Sequence, residues 1–230
     1  MTISLTALEI RALLLDIEGT TTPVEFVYQV LFPYARAHAA EYLARNQDSA
    51  ECREAVARLR SEQTEEGTLE YVFSLMDRDK KSPGLKALQG LIWRDGYKSG
   101  ELRGQVYPDV LPAFERWRAR KLEIYIYSSG SVLAQQLLFG STERGDLTRF
   151  LSGYFDTAVG PKVSPDSYGV IAGRMHVQPT QILFVSDVGQ ELDAARTGGM
   201  RTALCVRGGG EVPPGSGSHP VVRTFDEIVG

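Results

Sequence analysis

Five short apolar runs, each followed abruptly by small or polar residues, constrain the fold of this chain more than any other feature. Short continuous apolar runs are typical of strands that are buried on both faces, as in parallel sheets. Segments with helical spacing separate the later runs. This alternation predicts an α/β fold with a doubly wound, Rossmann-like parallel sheet, whose ligands bind beyond the carboxyl ends of its strands. The runs are Ala12–Leu15, Leu122–Tyr127, Phe155–Val159, Ile182–Val185 and Thr202–Val206.

A long segment with helical periodicity interrupts this alternation after the first run. Residues 22–104 contain no credible strand, and about 80 residues is too long for a simple strand-to-strand crossover. We therefore predict an α/β core domain formed by residues 1–21 and 105–230, with a helical cap domain of residues 22–104 inserted into it. Pro33 should break or kink the first cap helix. The periodicity predicts cap helices at Val24–Asn46, Ser49–Glu66, Leu69–Lys80 and Gly84–Gly96, and core helices at Pro108–Lys121 and Glu191–Gly198.

The composition argues against several classes of protein. The 230 residues carry 25 basic and 29 acidic side chains, a net charge of −4, so there is no general basic surface for nucleic acid. An anionic substrate would need positive charge supplied locally, by a few residues or a metal ion. Cys52 and Cys205 have no metal-binding spacing and indicate thiols in a reducing compartment. Without a signal-peptide pattern or an apolar run of about 20 residues, we expect a cytoplasmic protein with no membrane contact.

The sharpest candidate for chemistry is the acid pair Asp16 and Glu18, directly after the first apolar run. Side chains two residues apart in an extended chain point the same way, so both carboxylates converge at the end of one strand. Such a pair can bind a hard cation, or divide the roles of nucleophile and acid/base. Gly19 allows the chain to turn there. The alternative is a solvated turn, where acid pairs are common.

Polar residues follow three of the other predicted strands. Ser128 and Ser129 are typical of a phosphate-binding turn, although serine is also a favoured helix cap. Lys162 can supply a point charge to a phosphoryl oxygen, or be a solvated strand end. Asp187 adds a carboxylate, which could also stabilise a helix N-terminus. The order of these residues along four strand ends favours a ligand site.

This constellation resembles the haloacid dehalogenase-like phosphatase superfamily, whose motifs are a nucleophilic Asp with an acid two residues later, a Ser/Thr, a Lys and an acidic metal-binding segment. The superfamily usually has Asp as the second acid, whereas this chain has Glu18. With Glu at that position, the sequence resembles the enolase-phosphatase (acireductone synthase) family of methionine salvage. The resemblance spans residues 12–207. The strings that carry it are 16–21, 26–27, 30–35, 125–131, 136–140, 162 with 167–168, and 186–187 with 191–195.

The resemblance implies a small-molecule substrate, the phosphorylated diketone 2,3-diketo-5-methylthiopentyl-1-phosphate, which the enzyme enolises and then dephosphorylates. Asp16 would be the nucleophile, and Glu18 would protonate the leaving oxygen and then help activate water. One Mg²⁺ per chain would be held by Asp16, Asp187 and the backbone carbonyl of Glu18. Two carboxylates and a carbonyl are sufficient because Mg²⁺ prefers oxygen ligands and keeps several waters.

The resemblance also assigns the phosphate-binding residues, which are Ser128, Ser129 and Lys162. It implies a monomer. The base for enolisation stays open between Glu18 and a cap residue. Tyr28, Phe32 and Trp93 are candidates for a pocket around the methylthio group or, more simply, for the cap core. The Gly-, Pro- and Ser-rich stretch Arg207–Pro220 predicts a mobile loop.

Three other interpretations compete with this one. A capped relative acting on a sugar phosphate or an organic halide shares the fold. Dehalogenation needs no Mg²⁺, so the metal-ready Asp187 argues against it, and Glu18 with the pair Ser167–Tyr168 argues against a generic sugar phosphatase. A receiver-like signalling domain also has a phosphorylatable Asp and a Lys at strand ends, but it does not account for the long helical insertion. A binding module without activity would not need to retain Asp16, Lys162 and Asp187 together.

Overall fold

The structure is a computed structural model that describes residues 2–62, 67–78, 80, 82–213 and 219–230. The chain divides into two compact units. The sheet unit comprises the chain up to Val24 together with Gly104–Gly230, and the helical unit is Glu25–Arg103. The division proposed from sequence, into a core domain of residues 1–21 and 105–230 and a cap domain of residues 22–104, stays a prediction.

The sheet unit contains a six-stranded sheet in which every described strand pair is parallel. Its strand order is β4-β3-β2-β5-β6-β7, and a separate parallel pair joins β1 to β8. The predicted α/β fold with a parallel sheet is therefore confirmed. The strands are β1 Ile3–Ser4, β2 Ala12–Leu15, β3 Glu123–Tyr127, β4 Gly153–Phe155, β5 Ile182–Ser186, β6 Arg201–Cys205, β7 Val221–Val222 and β8 Ile228–Val229.

The register of the central strands positions the candidate site. Leu15, the last residue of β2, pairs with Ile126 of β3 on one side and with Val185 of β5 on the other. All residues of β2 and β5 are buried, as expected for strands covered on both faces. The chain therefore leaves β2, β3 and β5 at one edge of the sheet, where Asp16 and Ser186 follow these paired positions directly.

Helices make up most of the helical unit and separate the strands of the sheet unit. No helix in the described part of the chain is long and apolar enough to span a bilayer. The helices are α1 Val24–Phe26, a π-helical turn Val27–Leu31, α2 Phe32–Arg45, α3 Ala50–Glu62, α4 Thr68–Asp77, α5 Pro83–Ser99, α6 Val110–Ala119, α7 Val132–Gly140, α8 Pro165–Met175 and α9 Gly189–Thr197.

Pro33 is accommodated by a local change of helix type. The five residues before α2 form the π-helical turn, and the N–H of Phe32 bonds to the carbonyl of Val27, five residues earlier. Proline cannot donate a backbone hydrogen bond and its ring crowds the preceding turn, so a wider turn relieves the conflict. The expected interruption of the first cap helix is thus a π-helical turn.

Several helix ends differ from the sequence-based expectation. The fourth cap helix does not stop at Gly96. It continues to Ser99 and ends at Gly100, which has a left-handed φ of 81°. Gly96 has a packing role instead, because a Cβ there would overlap the ring of Tyr34. The second cap helix is described over Ala50–Glu62, and the rest of its predicted span, 63–66, lies outside the described residues.

The predicted strand at Phe155–Val159 is misplaced. The structure has Gly153–Phe155 as the edge strand β4, which pairs with β3 and, among the described strands, with no other. Asp156 ends it, because its carboxylate accepts hydrogen bonds from the N–H groups of Ala158, at 2.9 Å, and Val132, at 3.3 Å. Such a local side-chain-to-backbone bond favours a turn over a continued strand.

The three aromatic residues considered for a pocket around the methylthio group differ in environment. Trp93 is buried, and its indole N–H donates to the carbonyl of Leu31 at 2.8 Å. Its ring stacks with Phe32, whose other neighbour is Tyr28. Tyr28 is 56% exposed. Trp93 therefore belongs to the core of the helical unit, whereas Tyr28 lies on its surface.

Candidate active site

Asp16 lies in a buried cluster of charged and polar groups at the carboxyl edge of the sheet. It is 3% exposed, and its backbone N–H bonds to the carbonyl of Val185 at 3.0 Å, which continues the β2–β5 pairing. Its Oδ1 lies 2.7 Å from Nζ of Lys162, and its Oδ2 lies 3.0 Å from Oγ of Ser186. Both carboxylate oxygens are thus held by neighbouring side chains.

Glu191, in the first turn of α9, closes this cluster. Its Oε2 lies 2.6 Å from Nζ of Lys162 and 3.0 Å from Oγ of Ser186. The hydroxyl of Ser186 has one proton and therefore donates to either Glu191 or Asp16 at a given moment. Lys162 thus bridges two carboxylates in an almost fully desolvated setting.

The charge state of Lys162 follows from these contacts. Burial by itself disfavours the ammonium, but the negative charges of Asp16 and Glu191 outweigh this effect and raise the pKa of Lys162 above its ordinary value. Lys162 therefore remains a permanent cation at neutral pH. This buried cation supplies local positive charge beside Asp16 in a chain whose overall charge is negative.

The loop that carries Lys162 is anchored by three side-chain hydroxyls. Tyr127 donates to the carbonyl of Gly160 at 2.9 Å, Ser167 to that of Pro161 at 2.8 Å, and Tyr168 to that of Lys162 at 2.6 Å. Each of three consecutive carbonyls is therefore fixed, which places the lysine side chain without a regular secondary structure. Gly160 has a φ of 137°, and a Cβ there would overlap the Ser167 hydroxyl.

A tight turn after β2 brings Gly19 against the carboxylate of Asp187. The carbonyl of Ile17 accepts from the N–H groups of three residues in succession, 20 to 22, at 2.8–3.2 Å. Gly19 has a φ of 68°, and a Cβ on it would collide with the carboxylate of Asp187. Only glycine allows this approach, because a side chain would be strained by the φ and would displace Asp187.

Asp187 is the carboxylate that most needs a cation. Burial, followed by the negative charges of Asp16 and Glu191, raises its pKa to about 7. The three acids share the single positive charge of Lys162, so the site carries excess negative charge when fully ionised. A divalent cation bound there would relieve this excess.

The donor set fits Mg²⁺ better than a softer metal. The described residues contain no group of three or more His, Cys, Asp or Glu side chains arranged to hold a metal ion. Mg²⁺ does not require such a cage, since it usually binds through one or two carboxylates and retains water. Asp16 and Asp187 provide two hard oxygen donors at a site with excess negative charge, which suits this ion.

The remaining predicted site residues follow β2 and β3 at the same edge of the sheet. Ser128, which is buried, follows β3, and its Oγ accepts from the N–H of Gly130 at 3.1 Å. Ser129 is partly buried in the same turn. Glu18 is partly buried and its backbone bridges to Thr22. Their roles toward a substrate stay predictions.

Ser186 and Glu191 are site residues that the sequence analysis did not select. Both occur in the acidic segment after β5, where acids are also expected simply to stabilise the N-terminus of a helix. The spacing contains one usable signal. Glu191 lies in the first turn of the helix that begins at Gly189, directly after the strand end that carries Ser186, so the short connection keeps it near the same sheet edge.

The chain is similar to known proteins over nearly its whole length. The family model described as haloacid dehalogenase-like hydrolase matches residues 10–199. Enolase-phosphatase E1 of Citrobacter koseri is 49% identical over 224 residues, covering 95% of this chain and 96% of its own. Enolase-phosphatase E1 of Synechococcus elongatus is 50% identical over 233 residues, covering 95% and 98%. The solved structure of UTR4 protein from Saccharomyces cerevisiae has a TM-score of 0.80 at 33% identity, covering 94% of this chain and 99% of that chain.

Proposed function

The chain belongs to the haloacid dehalogenase-like hydrolases and, within them, to the enolase-phosphatase E1 family, and from this membership we propose its reaction. It converts 2,3-diketo-5-methylthiopentyl-1-phosphate, through the enol phosphate, to the acireductone 1,2-dihydroxy-3-keto-5-methylthiopentene and inorganic phosphate, a step of methionine salvage. The observation that carries this proposal within the molecule is the buried contact between Asp16 and Lys162 at the carboxyl edge of the sheet.

Asp16 is the nucleophile of the phosphatase step. One of its carboxylate oxygens attacks phosphorus, and the bond from phosphorus to the substrate oxygen breaks with its electron pair on that oxygen. Glu18 donates a proton to this leaving oxygen. Water then attacks the phosphorus of the aspartyl phosphate while Glu18 takes up a proton, which releases inorganic phosphate and restores Asp16.

Charge neutralisation is the main contribution to the rate, because a carboxylate that approaches a phosphate dianion is repelled by it. Lys162 is a permanent buried cation and lies 2.7 Å from the nucleophile. It therefore offsets the charge of Asp16 and of the incoming phosphoryl group together. Ser128 and Ser129 hold the phosphoryl oxygens from the neighbouring strand end.

Asp16, Asp187 and the backbone carbonyl of Glu18 would hold one Mg²⁺ per chain. Bound there, the ion would supply charge neutralisation for the phosphoryl group and polarisation for a substrate carbonyl. Asp187 is suited to this role, since burial and two nearby acids disfavour its charge in the absence of a second cation. Gly19 keeps the approach to Asp187 clear.

The enolisation step requires a base beside the diketone, and the candidates are Glu18 and a residue of the helical unit. We further propose that the enzyme is a cytoplasmic monomer. Its two cysteines, Cys52 and Cys205, are free and buried, which is consistent with a reducing compartment.

The experiment that tests this function supplies the diketo phosphate with Mg²⁺ and follows two products at once. We expect the ultraviolet absorbance of an enolised product together with free phosphate, and loss of phosphate release when the metal is chelated. Phosphate without the enolised product would reduce the activity to that of a simple phosphatase. No phosphate from this substrate, with turnover of a generic phosphomonoester under the same conditions, would contradict the proposed substrate.

A further inference from the structure

Arg207, which follows β6, contacts the turn that carries the nucleophile. Its side chain is 8% exposed. Its Nε and Nη2 both donate to the carbonyl of Thr20, at 3.0 and 2.7 Å. Thr20 is fully buried and lies in the turn that runs from Asp16 to Thr22. A guanidinium with two donors on one carbonyl fixes that carbonyl in both distance and direction.

Asp109 holds the other side of the same guanidinium. Its Oδ2 lies 2.6 Å from Nη1 of Arg207 and also accepts from the Thr224 hydroxyl, at 2.9 Å, and from the N–H of Phe225, at 2.5 Å. The buried charge of Arg207 is therefore compensated, and one oxygen of the Asp109 carboxylate accepts three hydrogen bonds. Hydrogen bonds through Arg207 and Asp109 therefore link the segment before α6 and the C-terminal segment to the turn 16–22.

Two aromatic rings fix the position of the guanidinium. Its central carbon lies 4.3 Å from the ring centroid of Tyr107 and 4.6 Å from that of Phe225. The backbone N–H of Tyr107 bonds to the carbonyl of Thr21 at 3.0 Å. Two consecutive carbonyls of the turn, those of Thr20 and Thr21, are thus held from one side by Arg207 and Tyr107.

We propose that Arg207 is a positioning residue for the reaction, which keeps the Asp16–Thr22 turn in the geometry that aligns the Asp16 carboxylate with the phosphoryl group. The inference rests on the proposed function for its effect on turnover. The Asp16 carboxylate contacts Lys162 and Ser186, and its N–H bonds to the sheet. The turn holds its other side, because the carbonyl of Asp16 accepts from the hydroxyl of Thr21 at 3.0 Å. A nucleophile displaced by about 1 Å can lose about a hundredfold in rate.

A purely structural role would have a different signature. If Arg207 only stabilised the fold, its replacement would lower the unfolding temperature but leave kcat of the folded enzyme unchanged. If it positions the nucleophile, kcat falls while KM changes little, because the phosphate-binding residues Ser128, Ser129 and Lys162 stay in place. Amide exchange within 16–22 also reports the turn independently of activity.

The test compares Arg207→Lys with the control Arg201→Lys. Arg201 is exposed and lies at the opposite end of β6. Lysine retains the positive charge opposite Asp109 but cannot donate two bonds to Thr20 and one to Asp109 in the same plane. We expect kcat for the diketo phosphate to fall about 10- to 100-fold with KM changed less than about threefold, and amide exchange to accelerate within 16–22 in the metal-free protein. The control should match wild type in all three measurements.

Arg207→Ala extends the test to a variant that removes the charge. We expect added guanidinium ion, at concentrations well below those that unfold the protein, to restore part of kcat, and an equal concentration of sodium to restore none. An unchanged kcat in folded Arg207→Lys, or unchanged exchange within 16–22, would overturn the inference. If wild type itself does not release phosphate from the diketo phosphate, the proposed function fails, while the exchange measurement still decides whether Arg207 holds the turn.

Discussion

The two units of the chain place their charged side chains in opposite environments. In the sheet unit, Asp16 and Lys162 form an ion pair that is almost fully buried. In the helical unit, ion pairs such as Arg58–Glu54 lie on the surface, with side chains 53% and 65% exposed. The interior of that unit is apolar instead, as at Val72 and Leu88, which are fully buried.

The charged side chains of the helical unit are solvated at its surface, whereas those of the candidate site are buried where the proposed reaction takes place. Removing two charges from water costs several kcal/mol per ion unless geometry and further hydrogen bonds compensate it. The sheet unit meets that cost at the one edge where the proposed reaction needs a nucleophile and a permanent cation. Surface pairs have no such cost and contribute little. The same chemical substitution should therefore have very different effects in the two units.

The largest difference is expected between Asp16→Asn and Asp77→Asn. Asp16→Asn removes the nucleophile, and we expect phosphate release to fall at least about a thousandfold while the protein stays folded. Asp77 forms a surface pair with Arg36 in the helical unit, so Asp77→Asn should leave turnover unchanged. Steady-state phosphate release and circular dichroism check both variants. Retained turnover in Asp16→Asn would remove Asp16 as the nucleophile.

Replacing a cation in each unit gives the next largest contrast. Lys162→Met removes the charge that offsets Asp16, Glu191 and the phosphoryl group, and we expect kcat to fall about a hundredfold or more. Arg94→Met removes the two-bond pair with Glu51 on the helical unit, where we expect kcat to stay within about twofold of wild type. Equal losses in the two variants would show that the buried cation has no special role.

A stability contrast follows from the second buried pair of the sheet unit. Burial by itself raises the pKa of Asp109, but hydrogen bonds from Arg207 and Phe225 outweigh burial and lower it below its ordinary 3.8. Asp109→Asn leaves the buried Arg207 without a counter-charge, and we expect a loss of about 3 kcal/mol of unfolding free energy at pH 7. Asp77→Asn should lose less than about 1 kcal/mol.

The pH dependence of that loss has a fixed sign. The pKa of Asp109 is lower in the folded state than its ordinary value of 3.8. Its contribution to the free energy of unfolding is therefore fully present above about pH 3.8 and disappears as the pH falls through the folded-state pKa. The difference between wild type and Asp109→Asn should therefore shrink below about pH 4. Denaturant unfolding at several pH values measures it, and a difference that grows toward acid pH would contradict the assigned ion pair.

The smallest effect belongs to the surface of the helical unit. A double-mutant cycle with Glu54→Gln and Arg58→Gln should give a coupling of about 0.3–0.5 kcal/mol that decreases with added salt, as for an exposed pair one helical turn apart. Thermal unfolding of the four proteins supplies the cycle. A coupling above about 2 kcal/mol would remove the contrast between the two units.

The ends of the central strands could be predicted from sequence because parallel strands that are buried on both faces consist of continuous apolar runs. Ala12–Leu15 is a strand with the predicted bounds, and Asp16 follows it as expected. The edge strand β4 was misplaced because it is paired on one side only and is ended by a local contact of Asp156. A local hydrogen bond of this kind leaves no periodic signal.

The residues that were missed act through contacts between distant segments. From the sequence, Glu191 is indistinguishable from an acid that stabilises a helix N-terminus. In the folded structure it contacts Lys162, which is 29 positions earlier in the chain. Arg207 was assigned to a mobile loop at 207–220, which is wrong for this residue, because Arg207 is buried against Asp109 and Thr20. The glycines 208–210 favour a loop prediction for this stretch. Such a pattern does not indicate which residues the side chain before the glycines contacts. Residues 214–218 of that stretch lie outside the described residues.

Trapping the covalent intermediate tests the central claim most directly. Wild-type enzyme is quenched with acid during turnover of the diketo phosphate carrying a radioactive phosphoryl group, and its peptides are mapped. We expect the label on the peptide that contains Asp16, lost on a chase with unlabelled substrate and absent from Asp16→Asn. A label on another residue, or continued turnover of Asp16→Asn, would contradict the assignment of the buried Asp16–Lys162 pair as the catalytic centre.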